Sequence, residues 1–202
     1  KLWTTSNSIT WLIYNEPEKI KSITTPTSPA KLFSNGKTHV SQSPLTTALY
    51  AEEKGLELVV KNIAFDAILN DVNAGYSDIG MAGMTVNEDR LVSNDFTTAY
   101  YQASQKIIVA ADNTDFDNCQ TAEDVENVIK ALSGKKIGYQ TGTTGNWYVA
   151  GDADWGFDGF ANIEAKGYST AQLAIQDLVN GQIYAVVVDE APGAAMVKAF
   201  NK

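Results

Sequence analysis

From Leu45 onward the apolar positions fall into two rhythms that succeed one another along the chain. Val125, Val128, Ile129 and Leu132 recur at helical spacing behind a capping-box-like start, Thr121-Ala-Glu-Asp124, and Gly134 ends that helix. Ala171, Ala174, Ile175 and Leu178 mark a second helix within Ser169–Asn180, and Ala191–Phe200 a third at the end of the chain. Leu45–Lys54, stopped by Gly55, and Ala64–Asn73, closed by Ala74-Gly75, also read as helices, and another is expected from Asn146. Between them lie short apolar or β-branched runs that read as strands: Leu56–Lys61, Ile79–Met84, Lys106–Ala111, Lys135–Tyr139 and Ile183–Val188. Asp112–Gln120 reads as a polar loop and Asp152–Gly159 as an acidic, aromatic one. Alternating strands and helices predict an α/β fold with a mostly parallel sheet, flanked by helices, in each half. The first 44 residues are punctuated by Pro17, Pro26, Pro29, Asn35-Gly36 and Pro44. Only short strands at Trp11–Tyr14 and Ile20–Thr25 are expected there.

Charge changes the picture in two ways. Twenty-four acidic residues against 15 basic ones argue against a nucleic-acid or anionic-membrane partner. The surplus is uneven, with a net +3 over residues 1–50 and −12 over the rest. Cys119 and His39 stand alone, so no internal disulfide, zinc cluster or Ser-His-Asp triad is expected, and no cofactor. No apolar run reaches the roughly 18 residues of a membrane span, and no signal peptide is visible. The start at Lys1 rather than Met raises the expectation of a removed leader or lipid-bearing terminus.

Three predicted strand ends carry polar groups, and open α/β sheets bind ligands at that edge. The first offers Thr85 and Arg90, the only arginine in the chain, whose planar fork matches a carboxylate. The second is Gln140-Thr-Gly-Thr-Thr-Gly145, where glycines admit a ligand near Thr143 and Thr144. The third is Asp189, placed directly after the apolar run Ala185–Val188. Two anion-seeking sites and one cation-seeking site suit a zwitterion such as an α-amino acid. Each piece also has a plainer reading. Arg90 could be a surface residue, the glycine-rich loop an ordinary strand-to-helix turn without the lysine of a P-loop, and Asp189 with Glu190 an N-cap. Phe65 would by default be core, and Asp152–Asp158 a solvated hairpin without EF-hand spacing.

Six segments together resemble the polar amino-acid binding proteins of the type II periplasmic-binding-protein family (solute-binding protein family 3). They are Ala51-Glu-Glu-Lys-Gly-Leu-Glu-Leu58, Phe65-Asp-Ala-Ile68, Ala82-Gly-Met-Thr-Val-Asn-Glu-Asp-Arg90, Asp95-Phe96 with Tyr100-Tyr101, Gly138–Gly145, and Val187-Val-Asp-Glu-Ala-Pro192. They stand in family order over roughly residues 48–195. The resemblance implies a two-lobed fold: residues 1–105 as lobe 1, 106–111 as a hinge crossover strand and 112–202 as lobe 2. It implies that Arg90 clamps a ligand carboxylate with Thr85, Thr143 and Thr144. Asp189 takes the ammonium with the Gly83 carbonyl, and Phe65 walls the ligand side chain. Hinge closure would then capture an L-amino acid, with a modest preference for a polar one, outside the cytoplasm, for a membrane ABC permease. Such a protein would sit in the periplasm or at the cell surface as a lipoprotein, and would not be an enzyme. A dehydratase-type enzyme on the same scaffold, with Glu190 or Asp189 as general acid, and a ligand-sensing receptor domain are the alternatives. The chain departs from the family in two places. The aromatic wall before the first helix is missing, or replaced by Phe33 or Tyr50. The return crossover and final lobe 1 helix are also absent, which leads to an expectation of self-association over an incomplete lobe 1.

Overall fold

A computed structural model describes residues 53, 59–80, 82–96 and 101–201, together with the backbone of strand segments at 6–9 and 23–25. Most of the expected Leu45–Lys54 helix, the Trp11–Tyr14 strand, and Phe33 and Tyr50 lie outside the described residues. The chain divides into two compact units, the first Ser8–Tyr101 and the second Gln102–Lys202 together with Lys1–Asn7.

In the first unit β2 (Ile23–Thr25) pairs in parallel with β3 (Val60–Asn62) on one side and β4 (Ile79–Gly80) on the other. Parallel neighbours need a crossover. Between β3 and β4 it is a 3₁₀ turn, Phe65–Ala67, running directly into helix α1 (Ile68–Asn73). The expected helix over Ala64–Asn73 is therefore present with a tighter first turn. Phe65, Ile68, Val72 and Met84 form its core. The expected strand over Ile79–Met84 contributes only two ladder residues. Gly83 has φ of +61°, a left-handed conformation that breaks a strand and that only glycine adopts readily. Helix α2 (Glu88–Ser93) follows.

The second unit is a five-stranded sheet in the order β1-β5-β8-β6-β7. Its strands are β1 (Ser6–Ile9), β5 (Tyr101–Val109), β6 (Lys136–Gln140), β7 (Glu164–Tyr168) and β8 (Ala185–Asp189). β6 runs parallel to both β7 and β8, whereas β5 is antiparallel to β8. Lys106–Val109, expected in a hinge crossover, is paired along β8 from Val188 to Ala185. The helices are α3 (Ala122–Ala131), α4 (Thr144–Ala150), α5 (Ala171–Val179) and α6 (Glu190–Phe200).

Strand pleating divides this unit's interior into two layers. Ile107, Ala185 and Val187 point to one face and join Val125 and Ile129 of α3 and Val149 of α4. Ile108, Val186 and Val188 point to the other and join Ala171, Ala174 and Ile175 of α5 and Met196 of α6. Thr121 closes a full capping box with Asp124, and Thr170 caps α5. The acidic, aromatic loop folds back on itself through an antiparallel bridge between Asp152 and Phe157.

Candidate functional site

In the first unit the chain leaves β4, turns at Gly83 and reaches Thr85, which is buried. Asn87 then opens α2 by accepting the Arg90 backbone N–H at 2.9 Å. This cap fixes the first helical turn, so the direction of the Arg90 side chain is set by a local hydrogen bond. Arg90 is buried, at 8% exposure. Its Nη1 donates to the Thr85 carbonyl at 2.5 Å, and its Cζ sits 5.8 Å from the Phe65 ring centroid. Asn94 in turn donates from its backbone and its side chain to the Arg90 carbonyl, at 3.0 and 3.3 Å. Phe65, Thr85 and Arg90 thus come together here, with Gly83 on the approach to Thr85. Arg90 is not the solvated surface residue of the plainer reading. The Thr85 carbonyl accepts from the guanidinium.

In the second unit Thr143 is the N-cap of α4, whose first residue, Thr144, lies two before the expected helix start at Asn146. Its Oγ1 donates to the Gln140 carbonyl at 2.7 Å and accepts the Asn146 N–H at 3.4 Å. Asn146 also accepts the Gly142 N–H, at 3.1 Å, which tightens the loop around Gly142. Thr144 and Gly145 are buried against the sheet, where a Cβ on Gly145 would stand 3.0 Å from the Val187 carbonyl.

Asp189 is the last residue of β8 and occupies the N-cap position of α6, yet its side chain makes no capping bond. Its Oδ1 accepts instead from Nε2 of Gln105, the residue directly opposite on β5. Glu190 is tied to the same strand from the other side. It accepts from Ser104 Oγ at 2.5 Å and pairs with the buried Lys106 ammonium at 3.5 Å. The Ser104 hydroxyl hydrogen bond outweighs desolvation and, with Lys106, holds the Glu190 carboxyl below its usual range. Thr143 and Thr144 thus stand at the start of α4, which packs on β8 through Gly145, and Asp189 ends that strand.

Two contributors escaped the sequence reading. Asn87 had a legible signal, an Asn before Glu-Asp at a helix start. Gln105 had none, because only strand pairing across 84 residues brings it to Asp189.

A pair of α/β units, each ending its strands in a hydrogen-bonded polar group, has the architecture of the periplasmic-binding-protein-like fold. The chain belongs to the bacterial extracellular solute-binding proteins, family 3, whose profile matches residues 44–199. It is 27% identical to the probable histidine-binding protein of Neisseria gonorrhoeae over 148 residues, which are 73% of this chain and 50% of that protein. It is 28% identical to the ABC transporter arginine-binding protein 1 of Escherichia coli over 135 residues, 67% of this chain and 48% of that protein. Among solved structures, an ancestral arginine-binding protein bound to arginine superimposes with a TM-score of 0.71 at 28% identity, covering 91% of this chain and 75% of that one. The chain spans about half the length of the curated relatives it matches.

Proposed function

We propose that this chain is the ligand-capturing part of an extracytoplasmic solute-binding protein that holds an L-amino acid for delivery to an ABC permease. The observation that carries this reading is the chain's single arginine, buried, capped by Asn87 and held by the Thr85 carbonyl where β4 ends. A guanidinium fixed in this way costs little further ordering when it receives a carboxylate bidentately. Arg90 binds the ligand carboxylate, helped by Thr85, Thr143 and Thr144. Asp189, with the Gly83 carbonyl, takes the ammonium, and Phe65 borders the ligand side chain. Gly83, Thr85 and Arg90 belong to one lobe, and Thr143, Thr144 and Asp189 to the other. Affinity then reflects contacts made to both only on closure. The relatives carry the names of binding proteins, which supports a non-enzymatic role over a dehydratase.

Isothermal titration of the purified chain with the twenty proteinogenic L-amino acids and L-cystine tests this reading. Saturable binding of at least one is expected, and Arg90→Ala and Asp189→Asn should each weaken it by about thirtyfold or more, the loss of one partner of a desolvated charge pair. Absence of binding to every one of them would overturn it.

A further inference from the structure

Two adjacent acids stand where β8 ends and α6 begins, and the structure uses them differently. Glu190 faces the α5/α6 side of the sheet and is consumed by Ser104 and Lys106. Asp189 faces the α4 side, where its Oδ1 is held by Gln105 Nε2. Gln105 is itself only 6% exposed, and its Oε1 is a buried acceptor without a hydrogen-bond partner. That atom lies 3.3 Å from where a Cβ on Gly145 would stand, so the side chain is wedged between β8 and the start of α4. A buried amide with one half unsatisfied is a poor stabilising device, because the desolvation of the orphaned oxygen offsets the bond made by the nitrogen. A methionine would fill the same space without that cost. Stability therefore does not explain an amide at this position.

We propose that Gln105 is a positioning residue that orients the Asp189 carboxylate toward the ligand's ammonium by donating to its Oδ1. This rests on the amino-acid reading above. The amide fixes the carboxylate rotamer from the neighbouring strand, while Gly145 leaves the room in which the amide sits. Glu190 is excluded from the same task because it is turned to the opposite face.

Gln105→Met tests the assignment with three readouts on the chain. The urea midpoint should stay within experimental error of wild type or rise. Affinity for whichever of the twenty L-amino acids or L-cystine binds wild type should fall about tenfold, the effect of losing one hydrogen bond to a charged group. In the ligand-free protein, ¹³C NMR of the Asp189 carboxyl should titrate at higher pH than in wild type, because a donor to the ionised form has gone. Among the described residues, Glu190 remains paired with Lys106, Lys198 lies eight residues further along α6, and Tyr148 of α4 donates to Glu126. An unchanged affinity, an unmoved Asp189 titration, or an affinity loss matched by a drop in stability would each overturn the proposal while leaving the amino-acid reading intact. A wild-type chain that binds none of these ligands would overturn both.

Discussion

Replacing Arg90 by lysine keeps the positive charge and removes the fork, so it isolates what guanidinium geometry contributes. In the structure Nη1 reaches the Thr85 carbonyl at 2.5 Å, and the group lies over Phe65 with Cζ 5.8 Å from the ring centroid. A hydrogen bond from a charged donor contributes about 1.5–3 kcal/mol. The cation–π contact adds about 0.5–1 kcal/mol. Lysine is a shorter, more strongly hydrated point charge that recovers only part of this, and the site is 8% exposed, so water does not compensate fully. The net loss in unfolding free energy is about 1–2 kcal/mol, a fall of roughly 3–6 °C in Tm for a chain of this size. Amino-acid affinity should fall further, by about 10- to 100-fold, as a bidentate carboxylate contact becomes a single one. Far-UV circular dichroism during urea unfolding measures the first effect and calorimetry the second. An Arg90→Lys chain with wild-type stability and wild-type affinity would refute the argument that the fork is held in place for a carboxylate.

Two further perturbations probe the scaffold of the second unit. Gly159 has φ of +64°, and an added Cβ would lie 2.5 Å from the Gly151 nitrogen and 2.6 Å from the Ala150 carbonyl carbon. Gly159→Ala should therefore cost about 2–5 kcal/mol, combining left-handed strain with a backbone clash, and a urea midpoint within error of wild type would contradict this. Thr121→Ala removes one half of the capping box on α3 and should cost about 1 kcal/mol by the same assay. Its partner Asp124 is held below the usual carboxylate range by the Gln120 and Thr121 backbone N–H groups. An acid depressed in the folded state stabilises above its unfolded pKa of about 3.9, and that contribution is lost as pH falls through the folded value. Asp124→Asn should thus flatten the stability–pH curve below about pH 4 relative to wild type, which acid titration followed by circular dichroism will show.

The sequence by itself determined the elements whose signals are local. Helix α5 is legible because Thr170 caps it and Ala171, Ala174, Ile175 and Leu178 repeat at the helical period. The β8 run Ala185–Val188 is legible because both faces of a central strand are buried, leaving an unbroken apolar stretch ending at an acid. Asp189 stood out as an acid directly following an apolar run, and Arg90 as the only arginine in the chain, five residues beyond Thr85. Only the tertiary structure decided the rest. Strand β7, Glu164–Tyr168, had no place in the sequence reading. It is a sheet edge, largely exposed, and its charged residues and Gly167 blur any alternation, so it becomes a strand only by pairing with β6. The antiparallel direction of β5 likewise depends on β8, which lies far along the chain. The hydrogen bonds that orient the site follow the same division. Asn87 reaches Arg90 over three residues and could be read locally, whereas Gln105 meets Asp189 across 84. A pattern of side chains records which face of an element is buried. It does not record which other element lies beside it, and at this site the neighbouring strand supplies the amide that holds the acid.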